Sequence, residues 1–121
     1  MPNPSPKTID VELDQDQQEV VLRINEGGKT AEIALEAPDV DDLLYRLAVK
    51  RAAMRNQVKV EWEPDSAAQP VDGPAWMIGN RLYNGKHLLA FRHPGFGWVS
   101  FLLERERAEA IASGLHHRPV A

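Results

Sequence analysis

Apolar and polar residues alternate along the first third of the chain. Over 9–14 the order is Ile-Asp-Val-Glu-Leu-Asp, and the same two-residue period returns over 19–25 and 30–36. Successive side chains of a strand point to opposite faces, so this period predicts three strands, each with one dry and one wet face. Glu26-Gly27-Gly28-Lys29 reads as a tight hairpin, because glycine reaches positive φ without steric cost. Pairing across that turn sets Asn25 opposite Thr30, which puts Val20, Leu22 and Ile24 on one face with Ala31, Ile33 and Leu35. The other face turns Asp10, Glu12, Asp14, Glu32 and Glu36 to water.

The period then changes to that of a helix. Val40, Leu43, Leu44, Leu47 and Ala48 form one stripe at three- and four-residue spacing. Pro38-Asp39 opens this helix with Asp39 as the expected N-cap, Asp41 and Asp42 suit the positive end of the dipole, and Asn56 is the expected left-handed terminator. The stripe can lie on the dry face of the meander, so this first half reads as self-sufficient. Residues 58–63 alternate again and predict a fourth strand, and the stretch 64–74, rich in Pro, Asp, Ala and Gly, predicts a mobile linker.

The second half repeats the pattern with a difference. Strands are predicted over 76–83, 86–93 and 98–103, then a helix from about Glu104 to Gly114 carrying Ala108, Ile111, Ala112 and Leu115. Asn84-Gly85 is the dipeptide preferred by type I′ turns, and it pairs Tyr83 with Lys86, Ile78 with Phe91 and Trp76 with His93. Here Leu88-Leu89-Ala90-Phe91 and Trp98-Val99-Ser100-Phe101-Leu102-Leu103 place apolar atoms on both faces, so both faces need a cover. With a four-residue turn after His93, one face collects Trp76, Ile78, Leu82, His87, Leu89, Phe91, His93, Trp98 and Leu102, the expected core under the last helix. The other collects Met77, Arg81, Tyr83, Lys86, Leu88, Arg92, Val99, Phe101 and Leu103. One residue more or less in that turn exchanges the faces of the last strand.

The expected fold is therefore α+β, a mainly antiparallel sheet of about seven strands with two helices, read as an internal duplication of a βββα unit. Residues 1–8 form a flexible arm, and 9–115 a single domain whose units, 9–55 and 75–115, are joined by the strand 58–63 and the linker 64–74. Residues 116–121 form a flexible tail.

Composition narrows the chemistry. A chain of 121 residues with 43% apolar and 26% charged residues is of ordinary globular make-up and long enough to bury one core. No apolar run approaches a membrane span or a signal sequence, and there is no cysteine. The expectation is a soluble cytoplasmic protein without disulfides or thiolate sites. The net charge of −4 is unevenly placed: residues 1–42 hold eleven acidic and three basic side chains, residues 43–121 seven acidic and eleven basic. Mutual attraction of the two halves, within a chain or between copies, accounts for this, and a basic surface for an anionic ligand is the alternative.

The site candidates are Arg81, Tyr83, Lys86, Arg92 and Phe101, cations interleaved with aromatics on one predicted sheet face, and Phe96, an aromatic between two glycines at a turn. Such a face resembles those that hold single-stranded nucleic acid in its use of stacking and cations, but the RNA-recognition signature is absent and the chain is acidic. His87 and His93 are six residues apart on one strand, about 20 Å at the usual rise, too far to share a metal. Ser100 lacks the glycines of a nucleophile elbow, and the glycine turns link strands rather than cradle phosphate. No catalytic residue, metal site or cofactor is assigned. The function expected is that of a small non-catalytic binding or adaptor protein, using the second meander for a protein partner or for self-association. A nucleic-acid-binding regulator is the first alternative, and a small enzyme with a pocket near His93 the second.

Overall fold

The computed structural model describes residues 6–63 and 69–117. It contains six strands and two helices in two compact units, Met1–Glu61 and Trp62–Ala121. Each unit holds a three-stranded antiparallel sheet in sequential order followed by one helix. The α+β class with two helices is thus observed, with six strands in two sheets rather than about seven.

In the first unit the strands are β1 (Thr8–Leu13), β2 (Glu19–Glu26) and β3 (Lys29–Glu36). Asn25 faces Thr30, as the hairpin predicts, and Gly27 and Gly28 take positive φ of 58° and 77°. The dry face carries Ile9, Val11 and Leu13 opposite Ile24, Leu22 and Val20, which in turn face Ala31, Ile33 and Leu35. The wet face is tied together by side chains. Arg23 bridges Glu32 at 3.0 Å and Glu12 at 3.4 Å, one from each neighbouring strand, and Asn25 donates to Thr8 Oγ1 and accepts from Thr30 Oγ1. The hydrogen bond to Glu32, then the charges of Glu32 and Glu12, hold the Arg23 guanidinium above its ordinary pKa. Between β1 and β2, Asp14 closes the loop by accepting from the amides of Gln18 and Glu19.

Helix α1 (Ala37–Ala53) follows β3 without a loop. Its N-cap is Glu36 rather than the expected Asp39. Pro38 occupies the second helical position, where its missing N–H costs nothing, and this moves Asp39 to the third, from which Oδ2 accepts the Glu36 amide at 3.0 Å. The helix ends at Ala53, with Met54 extended as its cap, so Asn56 is no terminator. α1 packs on β3 and β2 through Val40, Leu43 and Leu44, which are half-buried. Leu47 at 58% exposure, and Ile9, Val11 and Leu13 of β1 at 58–66%, remain open. The self-sufficiency expected of this half is therefore not met, because a helix entering directly from β3 lies over the β3 side and leaves β1 uncovered.

Residues 58–63 form no strand, in contrast to the expectation. Alternation supplies a dry face only where another surface pairs with it, and Val60 and Trp62 are 94% and 80% exposed. The expected arm, linker and tail fall partly on 1–5, 64–68 and 118–121, outside the described residues. His116, expected in the tail, is the last residue of the second helix.

In the second unit the strands are β4 (Trp76–Ile78), β5 (His87–His93) and β6 (Gly97–Leu103), followed by α2 (Arg105–His116). The Asn84-Gly85 turn forms as expected, with φ of 51° and 77° and reciprocal hydrogen bonds of 2.9 Å between Tyr83 and Lys86. β4 is shorter than predicted, and its register differs: Trp76 faces Phe91 and Ile78 faces Leu89. Pairing continues to Gly79, whose amide donates to Leu88 O, so Asn80, Arg81 and Leu82 bulge opposite His87 alone. The bulge moves the register by two residues, an even number, and so leaves the faces of β4 and β5 as read from the sequence.

Candidate functional site

The turn between β5 and β6 decides the surface of the second unit. His93 pairs with Gly97 across three residues, Pro94, Gly95 and Phe96, rather than with Trp98 across four. Gly97 has φ 76°, which lets the chain re-enter the ladder one residue early. His93 organises this turn: its Nδ1 accepts from the amides of Gly95 at 2.9 Å and Phe96 at 3.1 Å, and its ring lies 4.6 Å from that of Phe96. Accepting two bonds at Nδ1 places the neutral ring's proton on Nε2. His93 is thus a turn residue whose Nδ1 is engaged by these two amides.

The shorter turn exchanges the faces of β6. Phe101 stands opposite Leu89 and Val99 opposite Phe91, on the side of Trp76 and Ile78, while Trp98 stands opposite Arg92 and Ser100 opposite Ala90. The face assembled from Arg81, Tyr83, Lys86, Arg92 and Phe101 is therefore divided. Lys86 and Arg92 share a side with Leu88 and Ala90 by strand alternation, and the Tyr83 ring lies by Gly79 and Leu88 on that side. Arg81 sits in the bulge, and Phe101 is on the opposite face. Lys86 and Arg92 lie six residues apart, about 20 Å along the strand, so they do not converge on one anionic group. Phe96 is at the turn tip and 61% exposed, beside His93 rather than folded over a tryptophan.

Two residues expected in the core, Trp98 and Trp76, join the surface. Trp98 faces Arg92 directly across the ladder, and Trp76 stands on the open face with Phe91. Only the length of the Pro94 turn carries a signal for the first, because Gly97 just before Trp98 is suited to a positive φ that ends a short hairpin.

Both faces of this sheet are largely open. Trp76 is 64%, Ile78 58%, Trp98 53%, Phe101 53% and Phe91 43% exposed. Among the described residues Ala90, at 1%, is the one fully buried apolar side chain, at the centre of β5 between Met77 and Ser100. α2 borders the His87 end, where Leu82, His87, Ala108 and Ala112 line an open recess with Arg105 and Glu109. Arg105 bridges Glu109 at 3.0 Å, so the carboxylate in this recess is already engaged. No group of three or more potential metal ligands occurs among the described residues, and no helix there is long and apolar enough to cross a membrane. The surface offers aromatic and aliphatic area, a long uncharged strand and separated cations. Comparison with protein-family models, curated proteins and solved structures finds no match for the chain, so its reading rests on this geometry alone.

Proposed function

We propose that the protein is a small non-catalytic binding or adaptor module of the cytoplasm, and that the meander β4–β6 is its contact surface for a protein partner or another copy. The observation that carries this reading is the exposure of Trp76, Ile78, Phe91, Trp98 and Phe101 on one three-stranded sheet, since apolar surface of that extent is costly to leave in water and marks interaction sites. We infer also that the two βββα units are copies of one pattern, of which the second has the aromatic surface. Arg92 beside Trp98 and Phe96 at the turn tip belong to this surface, with Tyr83, Lys86 and Arg81 at its far end and Phe101 on its reverse.

Binding of a hydrophobic fluorescent dye tests the reading. The wild-type chain is expected to enhance dye emission at both low and high salt, and the double variant Trp76→Ser, Phe101→Ser to lose a measurable part of that enhancement, the open apolar residues of the first unit retaining the rest, while keeping its far-ultraviolet circular dichroism. A wild-type chain that binds no dye refutes the contact surface. Titration with a single-stranded oligonucleotide separates the alternative: phosphate binding would weaken steeply with salt, and tight binding of that kind would replace this reading with the nucleic-acid one.

A further inference from the structure

The four outer strands of the two sheets differ in one respect that bears on partner choice. β1 carries Asp10 and Glu12, β3 carries Lys29, Glu32 and Glu36, and β4 has three residues shortly after Pro74. Charge, shortness and proline are the usual means by which an outer strand avoids pairing with another chain. β6, Gly-Trp-Val-Ser-Phe-Leu-Leu, has seven residues and none of these features.

The hydrogen bonds show which groups this edge presents. Leu88 O accepts from Gly79 and the Arg92 amide donates to Ala75 O, so the even-numbered residues of β5 bond toward β4 and the odd-numbered ones toward β6. Val99 and Phe101, opposite Phe91 and Leu89, thus spend their backbone groups on β5. The N–H and C=O groups of Trp98, Ser100 and Leu102 point away from the sheet, and among the described residues no strand pairs with them.

We infer that a second copy of this chain pairs there, β6 against β6 in antiparallel register about a two-fold axis at Ser100, to give one six-stranded sheet. This rests on the reading of the second meander as a contact surface and names its occupant. In this register Ser100 faces Ser100 of the second copy and Trp98 faces its Leu102, so all three outward N–H and all three outward C=O groups of each copy are bonded. On the other face Val99 stands opposite Phe101 of the second copy. Both sets are aromatic against aliphatic, a favourable cross-strand combination, and no charge meets a like charge. The edge is its own complement, as an isologous interface requires.

The area is that of a small interface. An aromatic side chain carries about 150–250 Å², and Trp98 and Phe101 are each 53% exposed. With Leu102, Val99 and the strand backbone, pairing covers on the order of 400 Å² per copy, about half of what a standard interface takes from each partner. The dimer is accordingly reversible, with dissociation on the order of micromolar rather than nanomolar.

Sedimentation of the full chain over a range of concentration tests this. The wild type is expected to pass from monomer to dimer across the micromolar range. Ser100→Pro removes the central outward N–H without touching the β5 ladder, and is expected to stay monomeric throughout. Ser100→Lys and Ser100→Asp are each expected to weaken the dimer about fivefold, and an equimolar mixture of the two to recover it. That mixture decides the matter should Ser100→Pro fail to fold. A monomeric wild type, a Ser100→Pro chain that is folded and dimerises normally, or a mixture no stronger than its components overturns the inference. If the wild type dimerises indifferently to Ser100, or stays monomeric while still binding dye through Trp76 and Phe101, the edge is wrong and the contact surface stands. If it neither dimerises nor binds dye, both fail.

Discussion

Exchanging glycine for alanine at two positions of the second unit should move stability in opposite directions, and the reason is entirely local. Gly85 closes the Asn84-Gly85 turn with φ 77°, and Gly114 lies in α2 near its C-terminal end without a positive φ. A Cβ added at either site meets nothing within 4 Å. Packing therefore contributes to neither substitution, and backbone conformation decides both. A non-glycine residue in the left-handed region costs about 1–2 kcal/mol, partly offset by the reduced freedom of the unfolded chain, so Gly85→Ala should destabilise by about 1 kcal/mol. In the helix the same exchange removes the entropic cost of glycine and should stabilise by about 0.5 kcal/mol, the low end of the usual range because the position is near the terminus. For a unit of this size 1 kcal/mol corresponds to roughly 4–8 °C in melting temperature. Thermal unfolding followed at 222 nm should show a fall of about that size for Gly85→Ala and a rise of roughly 2–4 °C for Gly114→Ala. Shifts of the same sign, or a Gly85→Ala change below about 0.3 kcal/mol, would refute the assignment of the turn as type I′.

Three further outcomes follow from the same structure. His93→Ala takes the acceptor from two amides of the Pro94 turn, so hydrogen exchange at Gly95 and Phe96 should accelerate while that of Leu89, in the middle of the ladder, stays unchanged. Arg23→Met leaves Glu12 and Glu32 flanking an apolar side chain, so the urea midpoint should fall at low salt, with the loss shrinking as salt screens the remaining like charges. Unchanged salt dependence would mean that the bridges contribute nothing. Asp39→Ala deletes the acceptor of the Glu36 amide and should cost about 1 kcal/mol in a urea titration, a typical capping loss, whereas Asp41→Ala should cost less because Asp41 accepts no such bond.

How far the candidate surface was legible depends on which contacts fixed it. The Asn84-Gly85 turn, the pairing of Tyr83 with Lys86 and the sidedness of β5 follow from short-range rules, in which two turn residues set the register and alternation does the rest. The joining of Phe101 to Arg92 failed because it depended on the length of one loop, and a change of one residue there inverts a whole strand. The bulge at Asn80–Leu82 went unseen for the opposite reason: displacing the register by two leaves the hydrophobic pattern intact, so the pattern carries no trace of it. The strand expected over 58–63 failed because alternation reports a preference for a half-buried surface and cannot say whether one is provided.

By itself the sequence determined the α+β class, the two meanders each followed by a helix, and the hairpin at Gly27-Gly28, because periodicity and turn chemistry act between residues close in the chain. It determined also that β6 is uncharged and that the acidic residues collect in the first third. Only the tertiary structure decided how much of each sheet the helices cover, that Arg92 meets Trp98 and Phe101 lies behind, and that Trp98, Ser100 and Leu102 turn their backbone groups outward. Those outcomes depend on loop lengths and on packing between elements distant in the chain. A single sequence carries no periodic signal for either.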